Sequence, residues 1–210
     1  MKPAAPDDRS KLEVRTVPES AEPAAADRAE ERDWIDRART GDTAAFRRLV
    51  ERYSDRAYGL ALRMLGSPSD AEEVAQDGFL RAWRALPRFR GESAFSTWLY
   101  RIVVRRALDR SATLKTRRAR EAPLEAADAE PSASSGGPAP AGLSIRLDRL
   151  LGSLSDAQRA VVLLYYYEDR SVEEIARALG LPAGTVKTHL HRARSFLRAG
   201  WIAEERRTEA

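Results

Sequence analysis

The sequence predicts an all-helical protein made of two small domains. Apolar residues recur at three- and four-residue spacing through most of the 210-residue chain, as they do on the buried face of an amphipathic helix. No stretch shows the strict alternation of apolar and polar residues that is typical of a half-buried strand. Residues 121–142 interrupt the helical pattern with Pro, Gly, Ser, Ala and acidic residues, a composition that indicates a flexible linker between domains.

The first domain is predicted over residues 31–111. Residues 1–30 contain few large apolar side chains, so they cannot bury enough surface to offset chain entropy and should form a disordered tail. Gly41 and Asp42 separate the first two helices, and the sequence Gly-Ser-Pro at 66–68 ends the third. The apolar spacing predicts these three helices around Trp34–Ala38, Phe46–Tyr53 and Ala57–Leu65.

The next predicted helix has two contrasting faces. One face is an unbroken apolar stripe that must lie in the core, made of Ala71, Val74, Ala75, Gly78, Phe79, Ala82, Trp83 and Leu86. The opposite face, called the docking face below, consists of Asp70, Glu73, Gln76, Asp77 and Leu80. Acidic residues near a helix start also stabilise the positive end of its dipole, which is an alternative explanation for Asp70 and Glu73. Gln76, Asp77 and Leu80 lie deeper in the helix and favour a surface for a partner.

Residues 87–106, PRFRGESAFSTWLYRIVVRR, interleave aromatic rings with arginines around a short polar loop. Ring faces can stack on unpaired bases, for about 1–3 kcal/mol per base, while guanidinium groups hold phosphates. The alternative is that these rings belong to the core and the arginines to a solvated face; the rings are Phe89, Phe95, Trp98 and Tyr100. Residues 81–120 carry twelve Arg or Lys against two acidic residues, a local charge of +10 in a chain of net charge +4. Such local charge indicates a nucleic-acid footprint.

The second domain is predicted over residues 143–202, after a linker at 112–142 and before a short tail at 203–210. Reciprocal capping boxes predict two of its helix starts, with Ser155 paired to Gln158 and Ser171 to Glu174. At least two of the three tyrosines at 165–167 should pack in the core or between the domains, because they end a strongly apolar helix.

The segment 171–197 has the pattern of a helix-turn-helix. Ala176 lets two helices approach, Gly180 permits the turn, and Val186 packs the second helix onto the first. Pro182 stands at the start of the second helix, where a missing N–H does no harm. The exposed face of this second helix should present groups that can contact base edges or phosphates, namely Lys187, Thr188, His191 and Arg192.

Composition excludes several classes of site. The chain has no cysteine, which excludes disulfides, thiolate zinc sites and cysteine nucleophiles. Its two histidines, His189 and His191, are two residues apart and do not share a helix face, so we expect neither a metal nor a cofactor. No apolar run approaches the roughly 20 residues that span a bilayer, and the N-terminus lacks the apolar core of a signal peptide. We therefore expect a cytoplasmic protein.

Three segments follow one another at suitable spacing: DAEEVAQDGFLRAW, FRGESAFSTWLYRIVVRRALD and LSDAQRAVVLLYYYEDRSVEEIARALGLPAGTVKTHLHRAR. Together they resemble a bacterial sigma factor of the extracytoplasmic-function (ECF) type, in the sigma-70 family, over about residues 34–111 and 143–198. The resemblance implies a sigma-2 domain and a sigma-4 domain with no sigma-3 domain between them. It also implies a promoter-specificity subunit of RNA polymerase that is not itself an enzyme and has no small-molecule substrate.

The resemblance implies a role for each surface. The docking face would bind the clamp helices of the polymerase beta-prime subunit, and the beta flap is a further implied contact with core polymerase. The minus 10 element would be captured as a flipped base and melted by Arg90, Gly91, Glu92, Ser93, Ala94, Phe95, Ser96, Thr97, Trp98, Arg101 and Arg105. The minus 35 element would be read in the major groove by Lys187, Thr188, His191 and Arg192, with Arg194 on phosphates. An anti-sigma factor is a further implied partner, and any link to a membrane would be indirect, through that factor.

Two other functions compete with this interpretation. A self-sufficient helix-turn-helix regulator would use the N-terminal helices for dimerisation or ligand binding and would bind two-fold duplex sites without polymerase. A protein-sequestering module would use Leu80 and the rings as an interface, and would show no salt-dependent DNA affinity. The acidic linker would thread towards the polymerase channels, as the resemblance implies, or act as a passive tether. His189 and His191 stand where many family members carry arginine or aromatic residues, so the promoter sequence does not follow from the resemblance.

Overall fold

A computed structural model describes residues 25–121 and 141–208, which form two helical units without a strand in those ranges. The first unit consists of α1 (Ala25–Arg39), α2 (Thr43–Leu65), α3 (Pro68–Ala85), a short 3-10 turn (Leu86–Arg88) and α4 (Phe95–Glu121). The second consists of α5 (Ala141–Gly152), α6 (Asp156–Val162), a π-helical turn (Leu163–Tyr167), α7 (Val172–Leu179) and α8 (Ala183–Thr208). The all-helical prediction with two units is confirmed.

Several helices are longer than their predicted bounds. The two helices predicted around Phe46–Tyr53 and Ala57–Leu65 are one continuous helix, α2, since no Gly or Pro breaker precedes Gly59 and its apolar stripe is unbroken. Helix α1 begins at Ala25, inside the segment predicted as a tail, where Ala, Glu and Arg have high helix propensity.

The predicted linker and C-terminal tail also contain helix. Helix α4 runs past residue 111 to Glu121, through a stretch of Leu, Lys, Arg and Ala that favours helix. Helix α8 continues to Thr208, into the predicted tail at 203–210, where the Trp201 indole N–H donates to Glu205 at 2.6 Å. The remaining part of the predicted linker, 122–140, and most of the predicted N-terminal tail lie outside the described residues.

Short polar signals fix where α2 and α3 begin and end. The Asp42 carboxylate accepts hydrogen bonds from the backbone N–H groups of Ala44 and Ala45, and so caps the start of α2. Gly66 ends α2 in the left-handed conformation, with φ of 71°, and Ser67 then caps α3. The tight connection sets α3 against α2.

The core of the first unit lies between α2, α3 and α4. The predicted apolar stripe of α3 is buried, with Trp83 the partly buried exception, and it faces α4. Gly78 allows this close approach, because a Cβ atom there would lie only 2.9 Å from the Val103 side chain. Leu49 and Leu60 of α2 are fully buried against the same core.

The second unit contains the predicted helix-turn-helix. Both capping boxes are formed, by Ser155 with Gln158 and by Ser171 with Glu174. Gly180 ends α7 with a φ of 69°, a conformation that glycine adopts without steric cost. Val186 is fully buried against the preceding helices, as predicted. The turn therefore holds α8 with its opposite face in solvent.

The two units pack directly against each other. Arg159 of α6 donates a hydrogen bond to the Met64 carbonyl of α2 at 2.6 Å. Asp156 accepts hydrogen bonds from Ser111 at 2.8 Å and Lys115 at 2.7 Å, both on α4. Burial acts to raise the pKa of Asp156, but these two donors outweigh it and the pKa lies below its ordinary value. The extension of α4 beyond the predicted boundary thus contributes to the contact between the units.

Candidate nucleic-acid interface

The docking face on α3 combines one exposed apolar side chain with flanking polar groups. Leu80 is 55% exposed, while Phe79 beside it is buried in the core. The Gln76 side-chain amide donates to Glu72 at 3.2 Å, so both polar groups lie at the surface next to Leu80. Leu80 is therefore the apolar part of the docking face that a partner can reach.

Arginines of α4 neutralise part of the acidic charge on the docking face. Arg110 pairs with Asp70 and with Glu73, and Arg106 pairs with Asp77. Burial acts to raise the pKa of both Asp70 and Asp77, but hydrogen bonds outweigh it and hold both pKa values below the ordinary value. For Asp70 these hydrogen bonds come from Ser67 and Arg110. For Asp77, the offsetting hydrogen bonds come from Arg81 and Arg106. Four of the five predicted residues are therefore engaged within the chain, and Leu80 is the most available of the five.

A short exposed loop joins the 3-10 turn to α4. The loop and the first two residues of α4, residues 90–96, were predicted to contact the minus 10 element and are called the minus 10 loop below. Gly91 has a φ of 71°, which permits the sharp bend at its tip. Arg90 and Glu92 on either side of the bend are exposed, and their charged groups lie 3.9 Å apart. Backbone and polar side chains of the loop are thus accessible to a ligand.

The four aromatic rings of this region are core residues. Phe95 is 2% exposed and Trp98 is 9% exposed, and each ring packs against Phe89 and against the other. Tyr100 is also buried, edge-on to Tyr53 of α2. In this structure the rings are core residues, as the second interpretation of the sequence expects, and little of their surface is exposed for stacking on bases. The buried rings anchor both ends of the loop to the core.

A cleft of about 350 Å³ lies beside the minus 10 loop. Its charged lining residues are four arginines and two glutamates, so positive charge predominates: Arg88, Arg90, Glu92, Arg101, Glu174 and Arg177. Burial lowers the pKa of Arg101, and the nearby charges of Arg105 and Arg177 lower it further. This positive charge suits a phosphate-bearing ligand, and the buried Thr97 hydroxyl, which has no partner among the described residues, offers a further hydrogen bond.

Helix α8 presents the predicted base-reading residues to solvent. Lys187, Thr188, His191 and Arg192 are all exposed, whereas Val186, Leu190 and Ala193 between them are buried. Their common face follows from the helical period, since the buried residues recur at positions i, i+4 and i+7. A helix held in this way can enter a groove with its side chains directed at base edges.

Arg194 lies beside the tyrosine cluster. Its Nε donates to the Tyr166 hydroxyl at 2.6 Å, and its guanidinium lies 5.5 Å from the rings of both Tyr165 and Tyr166. Tyr165 and Tyr167 pack against the core, as predicted for at least two of the three tyrosines, while Tyr166 is exposed. Arg194 is therefore held in place at the edge of the exposed face of α8.

Sequence reasoning missed the residues that organise these surfaces. In the sequence, Arg106 and Arg110 contribute only to the local basic charge. In the structure, Arg106 donates to Asp77 and Arg110 donates to Asp70, acids about 30 to 40 positions earlier in the chain. Glu168, which is only 4% exposed, lies at the contact between the units. No local pattern marks such long-range partners, although a glutamate directly after an apolar helix was a visible anomaly.

Within the described residues no three His, Asp or Glu side chains are arranged to hold a metal ion. Nor does any helix in the same two ranges have the length and apolar character needed to cross a membrane.

Comparison with known proteins identifies the family of each unit. Residues 49–118 match the family described as Sigma-70 region 2, and residues 144–197 match Sigma-70, region 4. The ECF RNA polymerase sigma factor SigW of Bacillus subtilis is 35% identical over 180 residues, which cover 78% of this chain and 92% of SigW. This chain belongs to the ECF sigma factors. The ECF RNA polymerase sigma-E factor of Escherichia coli K12 is 36% identical over 173 residues, which cover 78% of this chain and 90% of that factor.

Solved structures share the fold of this ECF sigma factor. CnrH, solved in complex with the cytosolic domain of CnrY, has a TM-score of 0.58 and 28% identity, and the match covers 83% of this chain and 98% of CnrH. RpoE of Bartonella quintana, solved with the anti-sigma factor NepR, has a TM-score of 0.59 at 20% identity, covering 75% of this chain and 96% of RpoE. The protein is a promoter-specific transcription initiation factor, and the presence of both sigma regions does not favour a self-sufficient regulator.

Proposed function

We propose that this ECF sigma factor divides promoter recognition among three surfaces: the docking face binds core RNA polymerase, the minus 10 loop captures and melts the minus 10 element, and α8 reads the minus 35 element. The observation that carries the proposal is the exposure of Lys187, Thr188, His191 and Arg192 on one face of a helix whose other face is buried. The domain limits would be residues 31–111 and 143–202, with helical extensions beyond them.

Docking on the polymerase would centre on Leu80. Arg106 and Arg110 already pair with the flanking acids, so the partner surface needs an apolar pocket more than a dense basic patch. Buried leucine side chains contribute about 1.5–3 kcal/mol each. The beta-prime clamp helices are the proposed partner here, and the beta flap is the proposed partner of the second unit.

The minus 10 element would bind on the first unit's side of the cleft, at the loop and the start of α4. A flipped base would be recognised by hydrogen bonds along its pairing edge, from loop backbone and from Ser93, Ser96 or Thr97. Arg90, Arg101 and Arg105 would hold the strand through its phosphates. The buried rings Phe95 and Trp98 support this role by fixing the loop, in place of the stacking role first considered.

The minus 35 element would be read by α8 in the major groove. Lys187 and Arg192 can donate to guanine or phosphate, and Thr188 can contact a thymine methyl. The Thr188 hydroxyl donates to the Gly184 carbonyl at 2.9 Å, which leaves the methyl group free for such a contact. Arg194, positioned by Tyr166, would contact a phosphate at the groove edge.

The proposal includes an anti-sigma factor as a regulatory partner. CnrH, 28% identical to this chain, was solved with the cytosolic domain of CnrY bound. A partner of this kind would compete for the exposed Leu80 and for the surfaces that contact DNA. The protein would act in the cytoplasm and carry no catalysis of its own, with the polymerase performing the chemistry.

The division of labour is tested by a double substitution in α8. Lys187→Ala with Arg192→Ala should abolish selection of the minus 35 sequence in initiation by the reconstituted holoenzyme, because the main base-directed donors are gone, while core binding stays unchanged. Each lost base contact is worth about 1–3 kcal/mol. Arg198→Ala, exposed further along the same helix, is the matched control and should keep the wild-type selectivity. A parallel loss of core binding would contradict the assignment.

A further inference from the structure

The second unit covers part of the minus 10 surface in this structure. Arg105 Nε donates to the Ala178 carbonyl at the end of α7, at 2.9 Å. Arg170, just before α7, donates to the Ser96 hydroxyl of the minus 10 loop at 3.0 Å. Both contacted residues of the first unit belong to the proposed minus 10 site, so the second unit lies over part of that site. The structure is therefore a closed conformation.

The closed conformation cannot engage both promoter elements. By their positions the minus 10 and minus 35 elements are about 25 base pairs apart, which is about 85 Å of straight duplex at 3.4 Å per base pair. In the closed conformation, α7 of the second unit is within hydrogen-bond distance of α4 of the first. The two units must therefore separate before initiation.

A buried carboxyl group lies where the units meet. Glu168, at the end of the π-helical turn, has both carboxyl oxygens buried without a hydrogen bond from any described residue. The preceding residue, Tyr167, stacks on Arg63 of α2, with the guanidinium 4.3 Å from the ring centroid, which fixes this turn against the first unit. The Tyr100 hydroxyl of α4 is buried nearby and has no hydrogen-bond partner among the described residues either.

The charges facing Glu168 come from both units. Arg56 and Arg63 approach from α2, Arg170 approaches from its own segment, and Tyr100 faces it from α4. Burial raises the pKa of Glu168 from 4.5 to about 7, because the attraction of the three arginines only partly offsets the loss of hydration. The closed conformation thus favours the neutral carboxyl, whereas a separated conformation returns Glu168 towards water.

We propose that Glu168 is a protonation-sensitive latch between the two units: its neutral form holds the second unit over the minus 10 surface, and its ionised form favours release. The functional consequence rests on the proposed function, since it assumes that the covered residues contact the minus 10 element. Core docking is not blocked by closure, because Leu80 stays exposed in the closed conformation.

The sign of the pH dependence follows from linkage. Because the pKa is raised in the closed conformation, the contribution of Glu168 to closure is complete below 4.5 and is lost as pH rises through about 7. Between pH 6 and pH 8 the ratio of closed to open chain should fall by up to about tenfold.

The test measures the separation of the units in the free, full chain. The chain has no cysteine, so Arg47→Cys in α2 and Arg198→Cys in α8, both exposed, introduce two unique dye positions for energy transfer. Transfer efficiency should fall between pH 6 and pH 8 in the parent chain. Glu168→Gln should remain closed and largely lose this pH dependence, and Glu168→Met, a second uncharged variant, should behave alike. Glu173→Gln, an exposed neighbour in α7, is the matched control and should follow the parent curve.

Comparison of Glu168→Gln with the parent chain separates the contribution of Glu168 from that of every other group in the protein. A parent chain with constant transfer efficiency overturns the proposal without reference to any variant. A Glu168→Gln chain that opens with the parent curve also overturns it. Initiation by the unlabelled chain with core polymerase is measured separately. If the chain initiates but its energy-transfer efficiency does not change with pH, the latch alone is refuted. If the transfer efficiency changes with pH but the chain does not initiate, the proposed function alone is refuted.

Discussion

Leu80 gives the sharpest prediction about the polymerase surface. Its side chain is 55% exposed, so a substitution there should change the free energy of unfolding by no more than about 0.5 kcal/mol. Full burial of a leucine is worth about 1.5–3 kcal/mol, so docking that covers the exposed half contributes roughly 1 kcal/mol or more. Leu80→Ala should therefore weaken core binding about three- to tenfold. Leu80→Asp should weaken it much further, because docking would then bury an unpaired charge.

Equilibrium titration of dye-labelled chain with core polymerase measures the affinity, and circular dichroism measures the helical content of each variant. Tyr58→Asp, an exposed apolar residue on α2 outside the docking face, is the control and should bind the core normally. Two results would refute the reasoning. A loss of helicity in Leu80→Asp would show that Leu80 belongs to the core, and unchanged affinity with intact helicity would show that polymerase docks elsewhere.

Two further predictions concern stability, measured by urea unfolding. Gly78→Val should destabilise the chain by about 1–3 kcal/mol, because its Cβ would lie 2.9 Å from the fully buried Val103. Gly184→Ala is the control and should be neutral or stabilising, because the space around Gly184 is open. Equal effects of the two substitutions would contradict the close approach of α3 and α4. Ser171→Ala should cost about 1 kcal/mol through loss of the α7 cap, and Ser195→Ala on the exposed side of α8 should cost less. An unchanged Ser171→Ala midpoint would mean that the capping box adds no stability.

Local signals in the sequence were enough to predict the helix-turn-helix. Capping boxes at Ser155 and Ser171, together with the turn at Gly180, act within a few residues and depend little on the rest of the fold. The α3 stripe was equally clear, and it left Leu80 as an apolar residue without a place in the core. These features are readable because helix periodicity and capping are local properties.

Features that depend on tertiary contact were not predictable. Whether Trp98 packs inwards or faces a base depends on its neighbours in α2 and on Phe89, which periodicity alone does not specify. Helix α4 is longer than predicted. Composition gives only an approximate start for a linker, whereas the ion pair between Lys115 and Asp156 of the second unit stabilises the helix beyond residue 111. The burial of Glu168 is the extreme case, since its surroundings come from α2 and α4.

The most direct test of the central claim mixes the purified chain with bacterial core RNA polymerase that lacks any sigma factor. The account predicts that the chain co-elutes with the core and that the complex initiates at a defined set of sites in fragmented genomic DNA, with a shared sequence about 35 and 10 base pairs upstream of each start. Failure to associate with the core, together with specific duplex binding by the chain alone, would contradict the account.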